Sequence, residues 1–119
     1  MGENMISIEE IARVVHQVNR AYCHAIGDKT QPAWDDAPEW QKESAFDGIL
    51  KIVENPEQTP EQSHEAWTLK KQQDGWKYGP VKDEKLMTHP AMVHYSDLSV
   101  EVKAKDYIFS EIVKELLAI

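Results

Sequence analysis

The sequence predicts a mainly α-helical fold with minor β-structure: a compact bundle of about four helices and a short irregular or β-ribbon segment around residues 76–95. Three observations predict it. Apolar residues recur at helical spacing in four stretches, capping signals open two of those stretches, and glycine and proline interrupt the chain between residues 75 and 90. With 119 residues, the chain suits one domain spanning residues 1–119.

The first helix is predicted to begin after Ser7, since Ser7 and Glu10 have the spacing of a capping box. Gly27 and Asp28 are predicted to end it, because glycine readily adopts the left-handed conformation of a helix C-terminus. The apolar residues between these signals recur every three or four positions and define the buried stripe: Ile11, Val14, Val15, Val18, Tyr22, Ala25 and Ile26.

The second helix is predicted to begin near Asp36, with Pro38 in its first turn, and to end near Asn55. Its buried side is predicted to carry Trp40, Phe46, Ile49, Leu50 and Val53. Cys23, in the first helix, is the one cysteine of the chain, so it cannot form an internal disulfide. We expect its small apolar side chain to be buried. Trp34 lies in a polar loop and is expected to fold back onto the core.

The third helix has the clearest start signal in the chain. Thr59 is a cap, Pro60 suits the first helical position, and Gln62 is the capping-box partner. This helix is predicted to stop at Gly75, and the last helix to run from near Ser99 to the C-terminus. The last helix has a broad apolar face: Val102, Tyr107, Ile108, Ile112, Val113, Leu116 and Leu117.

The segment between these two helices contains residues that exclude a long helix: Gly75, Gly79, Pro80 and Pro90. Short extended pieces are predicted at residues 76–78 and 92–95, paired as a small ribbon.

Charge restricts the classes of partner. The chain has 13 Lys and Arg against 21 Asp and Glu, for a net charge of −8, which argues against a nucleic-acid polymer and an anionic membrane surface as partners. The stretch from Trp67 to Lys85 nets +2 and the rest nets −10. An anionic small ligand would find its best local field in that stretch; the alternative is a solvated lysine-rich face.

Targeting, metal and catalytic signals are weak. The N-terminus lacks the apolar run of a signal peptide and no stretch suits a bilayer span, so we expect a cytoplasmic protein. No histidine or cysteine spacing predicts a metal site, and no cofactor is expected. Cys23 and His24 are neighbours on a helix and point about 100° apart, so they form no nucleophile–base pair.

Aromatic and basic residues in the irregular segment form the candidate site. Trp76 and Tyr78 alternate in an extended piece, so both rings are predicted to share a face. Lys77, Lys82 and Lys85 add positive charge, and this combination suits a nucleotide: stacking for the base and ammonium groups for the phosphates. Glycine amides in the turn are expected to approach an anion. The structural alternative is that both rings pack the segment onto the third helix.

Four further residues complete the candidate ligand-binding set: His64, Trp67, Asp83 and His89. Each has an ordinary structural role beside it. His64 lies in an early helical turn and Trp67 at core spacing. Asp83 suits bracing the turn at Gly79, and His89, held extended by the following proline, suits a hydrogen bond to a carbonyl.

Three motifs carry a family resemblance: His64-Glu65-Ala66-Trp67, Asp74-Gly75-Trp76-Lys77-Tyr78-Gly79-Pro80-Val81-Lys82-Asp83 and His89-Pro90-Ala91-Met92-Val93. In order and spacing they resemble the ryanodine receptor repeat, or RyR domain, in which the His-Pro pair opens an apolar strand. Ala91 departs from many members, which have cysteine there, and this excludes a thiol role. Further motifs resemble free-standing bacterial and phage members: Asn19-Arg20-Ala21-Tyr22-Cys23, Gln31-Pro32-x-Trp34, Ala37-Pro38-x-Trp40, Ser44-Ala45 and Lys103-Ala104-Lys105-Asp106-Tyr107.

The resemblance implies a binding role. Receptor repeats occur as tandem pairs associated with adenine nucleotides, so a single copy is expected to pair with itself as a homodimer. We therefore expect a non-catalytic module that recognises an anionic, adenine-containing small ligand around the Gly-Trp-Lys-Tyr-Gly-Pro turn. The alternative is a protein-interaction or assembly module without a small ligand, with its seam along Tyr107 to Leu117. A nucleotide hydrolase using Asp74, Asp83 and His89 ranks third.

Overall fold

The computed structural model describes residues 6–118, and over that range it is mainly helical, with four α-helices and one two-stranded parallel sheet. The elements are α1 (Ile8–Ala25), α2 (Glu39–Glu54), α3 (Pro60–Gln73), β1 (Lys77–Tyr78), β2 (Thr88–His89) and α4 (Val100–Leu117), with 3-10 helices at Trp34–Asp36 and Tyr95–Asp97. The predicted fold class is therefore confirmed. Contacts divide the chain into two units, residues up to 57 with those from 107 on, and residues 58–106.

The ends of α1 follow the local signals. The Ser7 hydroxyl accepts from the Glu10 N–H at 3.1 Å, and the Glu10 carboxylate accepts from the Ser7 N–H at 2.9 Å, as a capping box requires. The helix ends at Ala25, and Gly27 has φ +99°, in the left-handed region that favours glycine.

The core of the first unit is formed by Ile11, Ala12, Trp34, Ile49, Ile52 and Val113, with Phe46, Phe109, Leu116 and Leu117 packed against it. The expected burial of Cys23 and Trp34 is confirmed. The predicted stripes were wider than the faces that are buried, since Val14 and Val18 of α1 and Leu50 and Val53 of α2 are exposed. Helical spacing defines a broad apolar face, and only packing decides which part of it touches the core.

The loop before α2 is attached to α1 by polar contacts. The carbonyl of Pro32 lies 2.7 Å from His16 Nε2, and the Trp34 N–H donates to Gln17 Oε1 at 2.9 Å. These bonds hold the indole of Trp34 in the core, where it meets the His16 and Phe46 rings edge to face.

Two predicted boundaries are wrong. The helix expected from Asp36 begins at Glu39, because the chain first forms a 3-10 turn and Pro38 takes the cap position. The second strand lies at Thr88–His89 and not at residues 92–95, and the His-Pro pair therefore ends the strand that it was expected to open. Pro90 has no N–H to donate to a ladder, so the pairing cannot continue through it.

The apolar face of α4 is largely used by the first unit's own core. Val113 is buried, and Phe109, Leu116 and Leu117 pack against the core, while Tyr107 is exposed. Core packing thus accounts for much of the face proposed as a dimer seam, and the homodimer stays a prediction. No helix in residues 6–118 has the length and apolar character of a membrane span.

Candidate functional site

Helix α3 provides one wall of the candidate site. Thr59 and Gln62 form its capping box at 2.9 and 3.2 Å, and Pro60 opens its first turn. This fixed start sets the helical phase: His64, Trp67 and Lys71 follow at intervals of three and four residues and share one face. His64 and Lys71 are buried polar residues on that face.

Five rings from four parts of the second unit pack against one another, and we call them the ring cluster: His64, Trp67, Trp76, His89 and Tyr95. His64 stacks on Trp67 with centroids 5.6 Å apart, and Trp67 meets His89 edge to face at 5.0 Å. Trp76 lies 6.4 Å from His89, and Tyr95 lies 5.9 Å from His64. Four predicted site residues are thereby brought together: His64, Trp67, Trp76 and His89.

Hydrogen bonds orient the two imidazoles. The Ala91 N–H donates to His89 Nδ1 at 3.0 Å, which leaves Nε2 to carry the hydrogen when the ring is neutral. His64 Nε2 lies 2.8 Å from the Val93 carbonyl, which can only accept, so that nitrogen donates. The hydrogen bond to a backbone carbonyl that was expected of His89 is therefore made by His64 instead.

The charge around His89 is positive. The pKa of His89 is lowered to about 4, first by burial and then by the positive charges of Lys82, Lys71, Lys105 and His64, in that order. The imidazole is therefore neutral at physiological pH, and at this position a negative charge would be favoured over a positive one.

Lys71 is the most unusual charged residue of the site. Lys71 is only 4% exposed, and its Nζ lies 4.9 Å from the centroid of the Trp76 ring, within cation–π range. Burial lowers the pKa of Lys71 to about 8, with Lys82 as the next cause, so the amine is mostly charged at neutral pH.

Asp106, near the start of α4, borders the same region. Burial raises the pKa of its carboxyl to about 6, against the opposite effects of His64 and Lys105. Its Oδ2 is buried without a hydrogen-bond partner among the described residues. Sequence reasoning did not select Lys71, Tyr95, Lys105 or Asp106. The signal available for Lys71 was its helical spacing from His64 and Trp67.

The two aromatic residues predicted to share a face have different environments. Trp76 is 7% exposed and lies against Lys71 and His89, whereas Tyr78 is 56% exposed. The Trp76 N–H still donates to the Lys71 carbonyl at 2.9 Å, so strand geometry begins only at Lys77. Trp76 therefore packs against the third helix, as the structural alternative predicted for both rings, whereas Tyr78 does not.

The turn amides and Asp83 serve the loop itself. The Gly75 N–H donates to the Gln72 carbonyl at 3.0 Å and the Gly79 N–H to the His89 carbonyl at 3.4 Å, so neither amide points to a free anion site. Asp83 Oδ1 accepts from the backbone N–H groups of residues 85 and 86 at 2.9 and 3.1 Å. Asp83 therefore braces the loop after Gly79, as its structural alternative predicted.

The remaining predicted residues are the exposed lysines Lys77 and Lys82. Lys82 and buried Lys71 both lower the pKa of His89, and Lys77 directly follows Trp76 in the chain; we call these three residues the lysine border. Among residues 6–118, no group of three or more His, Cys, Asp or Glu side chains is placed to hold a metal ion. The chemistry that this arrangement offers is attraction for an anion and contact with flat rings.

A comparison with protein-family models matches the part of the chain that contains these residues. The sequence model of the RyR domain family matches residues 50–119, a range that contains α3, the sheet, the ring cluster and α4.

Proposed function

The chain belongs to the RyR domain family, and on that premise we propose that it is a non-catalytic binding module for an anionic, adenine-containing small ligand. The ligand is taken up beside the ring cluster, at the border formed by Lys71, Lys77 and Lys82 and the exposed ring of Tyr78.

One observation carries the proposal: the positive field around His89. Three lysines from separate segments, Lys71, Lys82 and Lys105, all lower the pKa of this half-buried imidazole. The whole chain has a net charge of −8, so a local concentration of lysines next to the ring cluster favours the binding of an anion there.

Each part of a nucleotide has a candidate contact. The exposed ring of Tyr78 offers a face on which a base can stack. Lys77 and Lys82 are exposed and long enough to follow a phosphate, and the neutral His89 presents an Nε2–H donor. Half-buried Trp67 lies next to that donor, with its ring centroid 5.0 Å from the His89 ring.

The pKa of His89 also supports a non-catalytic role. A general base works best when its pKa lies near the operating pH, and a histidine with a pKa of about 4 is a weak base at pH 7. Hydrolysis through Asp83 and His89 has little support, because Asp83 is occupied by backbone donors.

Calorimetric titration with ATP, ADP, cyclic AMP, cyclic di-AMP and GTP tests the proposal. We expect an adenine-containing ligand to bind, and Lys82→Gln and Tyr78→Ala to weaken it by roughly tenfold each, the effect of one charged contact or one stacked ring. Lys29→Gln removes an equally exposed lysine from the other unit and should leave affinity unchanged. Absence of binding by every nucleotide, or equal losses in Lys29→Gln, would reject the proposal.

A further inference from the structure

The outer edge of β1 is open for pairing. The N–H groups of Lys77 and Gly79 donate to carbonyls of the β2 segment, at Met87 (2.9 Å) and His89 (3.4 Å). In a parallel pair the intervening residue points its backbone the other way, so the Tyr78 N–H and C=O face away from β2. Both side chains of β1 are exposed. Within the described chain, Tyr78 is thus an edge residue with donor and acceptor available.

Three large apolar side chains are exposed on the segment that begins at this edge. Tyr78, Val81 and Leu86 are 56%, 69% and 67% exposed and lie within nine residues of one another in the sequence. Single exposed apolar residues are ordinary, but a group of three beside an open strand edge is typical of a surface that another chain covers.

The loop that carries these residues is held in shape. Asp83 and Thr88 exchange two backbone hydrogen bonds at 3.0 Å, and the Thr88 hydroxyl donates to the Val81 carbonyl at 2.9 Å. The Asp83 carboxylate caps the turn that leads to Leu86. Because the loop is already ordered, a partner would lose little free energy in fixing it.

The charge of this surface is positive. Lys77, Lys82 and Lys85 are exposed, and with Asp83 and Glu84 they give residues 77–86 a net charge of +1 in a chain of −8. A complementary partner is therefore acidic.

We propose that residues 77–86 form a docking surface for an extended acidic peptide of a partner protein. The peptide adds as a strand at Tyr78, its aliphatic side chains contact Val81 and Leu86, and its carboxylates face the three lysines. Val81 and Leu86 belong to neither the ring cluster nor its lysine border, whereas Tyr78, Lys77 and Lys82 are shared with the proposed nucleotide site, so peptide and nucleotide are expected to compete.

Fluorescence anisotropy tests the peptide chemistry. The probe is a fluorescein-labelled decapeptide of alternating Glu and Val, titrated at low and at physiological salt. We expect this peptide to bind roughly tenfold or more tightly than its Lys–Val and Glu–Gly counterparts, and salt to weaken the binding. N-methylation of alternate peptide residues removes backbone donors without touching the protein, and should abolish binding.

Variants of the protein test the location. Val81→Asp and Leu86→Asp should each weaken the Glu–Val peptide by roughly tenfold. Val100→Asp is the matched control, since Val100 is 80% exposed on α4 outside the surface, and should change nothing. Nucleotide affinity should stay unchanged in Val100→Asp, whereas the carboxylate added by Val81→Asp lies next to Lys82 in the chain and should weaken an anionic nucleotide as well.

The proposal is overturned if no peptide binds, if the Lys–Val or N-methylated peptide binds as well, or if Val100→Asp has the same effect as Leu86→Asp. It is also overturned if peptides do not bind and Leu86→Asp converts a sedimenting dimer into a monomer, since the occupant is then a second copy of the chain.

Discussion

Trp76 and Tyr78 are two positions apart and serve different purposes. The indole of Trp76 is enclosed by Lys71 and His89, whereas the ring of Tyr78 is largely in solvent. The reason is local: the Trp76 N–H continues the hydrogen bonding of α3, and strand alternation begins after it. Substitution of Trp76 therefore tests packing before it tests binding.

Trp76→Ala should lower the free energy of unfolding by about 3–5 kcal/mol, because it leaves a cavity under a buried lysine. Tyr78→Ala should cost less than about 1 kcal/mol, since an exposed ring loses few contacts. Urea denaturation followed by circular dichroism measures both. Equal losses would contradict the burial difference, and a small loss for Trp76→Ala would make that variant usable in binding assays.

At the scale of elements, β1 and β2 depend on the absence of a side chain at Gly79. A Cβ added there would lie 2.5 Å from Thr88 Cβ and 2.9 Å from Thr88 Cγ2, closer than real Cβ atoms approach other atoms. The strand pair can form only because the backbone of Gly79 passes directly over Thr88, which also holds Val81 and Asp83 in place.

Gly79→Ala should therefore destabilise the fold by roughly 1–3 kcal/mol, as overpacking does, and should disturb the loop that carries Lys82. Gly48→Ala is the matched control. Its Cβ would meet the edge of the Phe109 ring at 3.0 Å, but alanine gains helix propensity in α2, so the net change should stay below about 1 kcal/mol. Thermal unfolding of the two variants measures both changes in stability. A larger loss of stability for Gly48→Ala than for Gly79→Ala would contradict the close approach at Gly79.

For the whole molecule, the distribution of charge matters more than its total. A chain with a net charge of −8 concentrates lysines around the half-buried imidazole of His89, and two groups of the same unit have pKa values close to neutrality. Asp106 becomes negative as pH rises through about 6, and Lys71 loses its positive charge as pH rises through about 8. Both changes reduce the attraction for an anion, whereas His89 stays neutral throughout.

Affinity for a bound anion should therefore fall in two steps as pH rises, one near the pKa of Asp106 and one at or above that of Lys71, since the anion itself raises the lysine's pKa. Calorimetry with cyclic AMP between about pH 5 and 9 measures this, because a phosphodiester does not titrate there. Asp106→Asn should remove the lower step and Lys71→Met the upper one. A profile that rises with pH would contradict the proposed site.

By itself, the sequence determined the features that depend on neighbouring residues. The capping boxes at Ser7 and Thr59, the left-handed glycines at positions 27 and 75, and the irregular centre all follow from side chains within a few positions of each other. The family followed from the same short-range motifs, and the match over residues 50–119 confirms it.

Only the tertiary structure decided which residues meet. The parallel pairing of β1 with Thr88–His89 and the place of Asp106 beside His64 join segments far apart in the sequence, and Lys71 is buried against the ring of Trp76, five positions on. Helical spacing shows that a residue lies on a face, but burial and charge environment depend on what packs against that face. For that reason His89 and Lys71 acquire their shifted pKa values from contacts that no short-range pattern encodes.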